Sequence, residues 1–151
     1  MSIRIPYEEV KETARQAFLN LGLSREQAEI CATIHTQSSA DGVESHGLNR
    51  LPRFANHVKN GWVNVEGKAQ LVGAKGAVEN YDGQFGIGII NALFCTDRAM
   101  ELAKIHGIGC VALKNATHSS VLPQQMHPIR NVREVMLSVR VSVPLLQGIG
   151  A

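Results

Sequence analysis

A mixed α/β fold is what this sequence predicts: an N-terminal helical layer followed by β–α–β elements. Three observations predict it. Up to Gly61, apolar side chains recur at helical spacing in segments closed by glycines. Beyond Gly61 the texture changes to the short, Gly-punctuated runs AQLVGAKG and AVENYDG, which read as strands joined by turns. A long helical pattern, from about Phe85 to His106, then leads into GIGCVALKN. That nearly unbroken apolar run is typical of a strand covered on both faces.

The first helix follows Pro6, with Val10, Ala14, Ala17, Phe18 and Leu21 on one face, acids in its first turn and Gly22 as its stop. Ser24-Arg25-Glu26-Gln27 is a capping-box pattern, with Ser24 as cap and Gln27 reaching back. The helix it opens carries Ala28, Cys31, Ala32, Ile34 and His35 and runs to Asp41-Gly42. In the third segment, SHGLNRLPRFANHVKNG, Pro52 predicts either a kink or a helix that starts only near Leu51. The long fourth helix stops at Gly107. A further strand is expected between Val135 and Val143.

Composition excludes several classes. With 151 residues, 44% hydrophobic and 19% charged, the chain can bury a core and is not of disordered type. A net charge of +2 disfavours an electrostatic nucleic-acid binder, including a helix-turn-helix built from the first two helices. Cys31, Cys95 and Cys110 are odd in number and widely spaced, which suits free thiols in a reducing compartment and offers no metal site. No stretch approaches the roughly 20 apolar residues of a membrane span, and no secretory signal is visible, so a cytoplasmic location is expected.

The densest polar constellation is His46, Arg50, Arg53 and His57. On a continuous helix these four would share one face. A histidine can move a proton near neutral pH and an arginine can hold a carboxylate with two hydrogen bonds. A solvated basic helix face has the same spacing, and both readings stand. Asn115-Ala116-Thr117-His118 directly follows the apolar strand, at the end of a strand where ligands gather in α/β sheets. An exposed loop histidine would look the same. His35 reads as a helix-interior residue without a role, and Trp62 as a packing residue. Phe85-Gly86-Ile87-Gly88 lacks a third glycine, so it reads as a turn or helix start rather than a dinucleotide fingerprint.

The run SADGVESHGLNRLPRF, from Ser39 to Phe54, resembles the SHG-x-x-R segment of the malate/L-lactate dehydrogenase family. That family has an NAD(P)-binding fold distinct from the Rossmann dehydrogenases. HGIGCVALKNATH and AVENYDG resemble its further landmarks, and NRLPRFANHVKNG is most similar to its diketogulonate-reducing branch. The resemblance implies hydride exchange between NAD or NADP and a 2-keto/2-hydroxy acid (diketogulonate-, malate- or lactate-like) in a homodimer. By the same resemblance His46 is the general acid/base, while Arg50 and His118 bind substrate; no cofactor-binding residue can be carried over.

The resemblance covers residues 3 to 118 and then stops. It divides the chain into a helical region (1–62), a β–α–β part (63–118) and a divergent tail (119–151). The expectation is that a frameshift or early stop replaced the family's C-terminal half, leaving a chain inactive alone. The alternative is a non-catalytic oligomerisation or binding module.

Overall fold

The computed structural model describes residues 4–117 and the strand at 138–142. Helix α1 (Tyr7–Asn20) and helix α2 (Arg25–Ala40) form the expected helical pair. Both halves of the capping box are made: Ser24 Oγ accepts from the Gln27 N–H at 3.2 Å, and Gln27 Oε1 accepts from the Ser24 N–H at 2.9 Å. Together they satisfy two amides that the helix start leaves without partners. Two 3₁₀ turns (Glu44–His46 and Leu48–Arg50) follow, then helix α3 (Leu51–Lys59). Pro52 therefore lies in the first turn of α3, where no intrahelical N–H is needed, and it kinks nothing.

Strands β1 (Gln70–Lys75) and β2 (Val78–Asp82) form an antiparallel hairpin. Helix α4 (Gly88–His106) crosses to β3 (Cys110–Lys114), which pairs parallel with β2. Strand β4 (Ser138–Ser142) pairs parallel with β3, so the sheet order among the described residues is β1-β2-β3-β4. Gly107 ends α4 in the left-handed conformation at φ 78°, as its position predicts.

The apolar run of β3 suggests burial on both faces, but burial alternates along it. Val111 and Leu113 are buried beneath α4, whereas Cys110 and Ala112 on the opposite face are half-buried. Apolar composition alone does not distinguish small residues on a partly open face from a fully covered strand.

Two apolar clusters make up the core, and α4 belongs to both. Phe18, Leu23, Ala28, Cys31, Ala32 and Val63 pack with Ile87 and Ile89 at the start of α4. Tyr81, Val111 and Leu113 of the sheet pack with Cys95, Ala99 and Leu102 further along it. A partly buried ion pair fixes that second contact. Arg98 of α4 donates through Nε and Nη2 to the two carboxylate oxygens of Glu79 on β2, both at 2.7 Å, and the Tyr81 hydroxyl adds a third bond at 2.8 Å. The Arg98 guanidinium holds the Glu79 carboxyl below its ordinary range, against the upward push of burial.

The loop between β2 and α4 ties the two clusters together. A Cβ at Gly86 would lie 2.3 Å from the Gly67 carbonyl oxygen, so only glycine allows this backbone crossing. Gly86→Ala should destabilise the protein by at least about 2 kcal/mol in urea unfolding, whereas Gly73→Ala should be close to neutral. Nothing lies within 4 Å of a Cβ at Gly73. Equal effects at the two positions would remove the crossing from the account.

A carboxylate whose folded pKa is depressed stabilises fully above its unfolded value, about 4.3, and loses that effect as pH falls through the lower folded value. Arg98→Ala should therefore lower the thermal midpoint at pH 7 by roughly 5–10 °C. The gap to wild type should shrink below about pH 4. A gap that stays constant in acid would contradict the linkage.

Candidate functional site

A cavity of about 250 Å³ lies where the helical layer meets the β2–α4 loop. The α3 segment supplies Arg50, Arg53, Phe54 and His57, which stand at offsets that share one helical face. Phe18 and His35 form the wall behind them, and the Ile87–Gly88–Ile89 entry into α4 lies opposite. Thr117, at the carboxyl end of β3, completes the lining, and its hydroxyl donates to the Gly86 carbonyl at 2.7 Å.

The electrostatics of this lining are one-sided. Two arginines and two histidines face the cavity, and no carboxylate is among its described lining residues. No side chain caps α4, whose first amides add partial positive charge at the same wall. Such a lining suits an anion small enough for the space.

The loops that carry the site are held in costly backbone conformations. Gln84 and Phe85 both have φ 52°, and Asn115 has φ 50°. Left-handed conformations cost a non-glycine residue about 1–2 kcal/mol each. Hydrogen bonds offset this: the Phe85 N–H donates to the Asn115 carbonyl at 2.8 Å, and the Asn64 N–H donates to the Phe85 carbonyl at 2.9 Å. Asp82 accepts from the Gln84 N–H at 2.9 Å and from the Asn115 side chain at 3.0 Å. These bonds hold its carboxyl below the ordinary range, with the Gln84 amide contributing most.

The expected single face of His46, Arg50, Arg53 and His57 does not form. Gly47, at ψ −157°, breaks the helix and leaves His46 on its own 3₁₀ turn, outside the lining. The other three reach the cavity together. His46 Nδ1 pairs with Ser45 Oγ at 2.8 Å, and Arg50 Nε donates to the Ser45 carbonyl. His118 lies outside the described residues, one position beyond Thr117.

Trp62 departs from its sequence reading, whereas His35 is helix-interior as read but makes contacts the reading did not include. Trp62 is 62% exposed rather than packed inside, with its ring 5.3 Å from that of His57. His35 is 3% exposed, stacks on Phe18 at 5.7 Å and touches the main chain of His46. No periodicity marks His35 as more than a helix-interior residue, because its partners come from a separate turn.

The helical layer and the βαβ sheet are shared with solved structures of dehydrogenases. A malate dehydrogenase from Pyrococcus horikoshii OT3 superposes with a TM-score of 0.74 at 30% identity, over 78% of this chain and 34% of its own. Sulfolactate dehydrogenase from Methanocaldococcus jannaschii superposes with a TM-score of 0.76 at 26% identity, over 82% of this chain and 36% of its own. The malate/L-lactate dehydrogenase family model matches residues 5–138, and the chain belongs to that family. Among its relatives, a 2,3-diketo-L-gulonate reductase of Klebsiella pneumoniae (strain 342) is 42% identical over 116 residues, 77% of this chain. The chain spans 35% of that relative's length. No helix among the described residues is long and apolar enough to cross a membrane.

Cys31 lines the cavity, yet burial pushes its thiol up to about 12, and burial pushes Cys95 up to about 11. At pH 8 both should resist a thiol-specific chromogenic reagent in the folded chain while the half-buried Cys110 reacts. All three should react in denaturant, and rapid modification of Cys31 in the folded protein would contradict its burial.

Proposed function

We propose that the cavity binds the acid in a dehydrogenase of this family, whose reaction exchanges hydride between NAD(P)H and a 2-keto/2-hydroxy acid. One observation carries this reading: a small cavity lined by Arg50, Arg53, His35 and His57 with no opposing carboxylate. A guanidinium presents a planar fork to a carboxylate, and Arg50, steadied at Nε by the Ser45 carbonyl, is placed to offer it. Arg53 lines the same wall and can neutralise a second negative group. The names of the relatives, which are reductases or dehydrogenases of diketogulonate, malate and sulfolactate, fit an acid of this kind.

We assign proton transfer to His46. Its ring is tethered by Ser45 on the turn next to Arg50, beside the lining rather than within it. In oxidation a neutral imidazole accepts the hydroxyl proton as hydride leaves the carbon; in reduction the imidazolium gives that proton to the keto oxygen as hydride arrives. His118, which follows Thr117, is assigned to substrate binding.

The described cavity has room for an acid, not for a dinucleotide. At about 250 Å³ it falls below the roughly 300–1,000 Å³ of pockets that enclose a drug-sized ligand. The Gly67 crossing by itself accounts for the glycine at position 86. In this reading the part of the described residues is to hold the acid and move its proton.

Trp62 is the chain's single tryptophan, and its contact with His57 makes it a reporter for the cavity. Titration with L-malate should change its fluorescence saturably. Arg50→Ala should weaken that binding by roughly 10–100-fold, the strength of a charge-assisted pair, and Arg50→Lys should recover only part of it. A wild-type protein that shows no saturable change with malate, lactate or diketogulonate would overturn the acid-site reading.

A further inference from the structure

We propose that His35 is a positioning residue: from the buried face of α2 it tethers the main chain of His46 and so sets the turn that carries His46 and Arg50. The inference rests on the acid-site reading for its functional consequence, but the tether itself stands on geometry. His35 Nδ1 lies 3.2 Å from the His46 carbonyl oxygen. A carbonyl oxygen only accepts, so Nδ1 carries the proton and donates. This fixes the tautomer of the ring.

Everything around the ring restricts it. Phe18, fully buried, stacks on one face at an interplanar angle of 21°, and Phe54 meets Phe18 edge-on at 5.6 Å. Phe54 follows Arg53 in α3, so the stack joins α1, α2 and α3 behind the cavity wall. One helical turn along α2, Ser39 Oγ accepts from the Leu48 N–H at 2.9 Å. A Cβ at Gly47 would lie 2.2 Å from that same oxygen, so a side chain there would push the Ser39 hydroxyl off its bond to Leu48.

His35 and Ser39 thus hold residues 46–48 at two points, and Gly47 lets the backbone lie flat between them. The sequence pattern H-x-x-x-S on α2 and H-G-L on the turn is one device. His35 does not need to touch the acid for its loss to be felt. Without the tether, the turn that presents His46 and Arg50 loses its register against the cavity.

The test compares His35→Phe, which keeps a stacking ring and loses the donor, with His35→Asn, which restores a donor near the Nδ1 position. His35→Leu serves as a second donor-free variant should the phenylalanine fail to fold. Amide hydrogen exchange is followed in the full chain, together with the malate titration read by Trp62. In His35→Phe and His35→Leu, exchange at His46, Gly47, Leu48 and Arg50 should quicken by about tenfold, the equivalent of one lost hydrogen bond. Amides of α1 and β3 should be unchanged. His35→Asn should recover most of the protection, and malate affinity should fall and recover in parallel.

Unchanged exchange at 46–50 in both donor-free variants overturns the tether, as does uniform quickening throughout the chain, which would mark His35 as a packing residue only. Wild-type protein that binds no acid but shows the local exchange pattern supports the tether while overturning the acid-site reading.

Discussion

The close approach of two backbones at Gly86 is the constraint on which the rest depends. Gly86 lies against the Gly67 carbonyl oxygen, closer than any side chain would permit. The Thr117 hydroxyl bonds to the carbonyl of Gly86 from the third side. Three loops meet there: the one leaving α3, the one between β2 and α4, and the end of β3. Without this meeting, the basic face of α3 and the carboxyl end of β3 would belong to separate surfaces. The cavity exists because they do not.

What the constraint costs is visible next to it. Phe85 and Gln84 adopt left-handed conformations, and Asp82 with Asn115 holds the loop in place by side-chain bonds. Strain of this kind persists only where the surroundings over-determine the backbone. Here they do: the Gly83 and Phe85 amides and the Phe85 and Gly86 carbonyls all bond to other elements. Rigidity at the site is thus a property of the loops' mutual bonding rather than of the helices that flank them.

Much of the fold was legible in the residues because it rests on local rules. Ser24 and Gln27 cap their own helix, Gly107 ends α4, and Pro52 sits where a first turn tolerates it. The site was legible only in part. Arg50, Arg53 and His57 share a face as spacing suggests, but His46 does not join them, since Gly47 leaves helical geometry to pass Ser39. The contact that shapes the turn is between residues 35 and 46, on separate elements, and no local periodicity encodes it. Trp62 misled for a similar reason: its size suggests burial, whereas the left-handed Gly61 before it turns the chain outward. His118 and, apart from β4, the expected tail fall outside the described residues.

Helix α4 is the wall that both apolar clusters share, its first turn in one and its later turns in the other. A helix fixed at both ends by different cores couples their melting. Loosening the sheet frees Arg98 and with it the register of the whole helix, and Ile87 and Ile89 are then lost to the helical layer. The two clusters therefore unfold as a single cooperative unit, and damage in the sheet reaches the cavity as a loss of population of the folded state rather than as a local distortion.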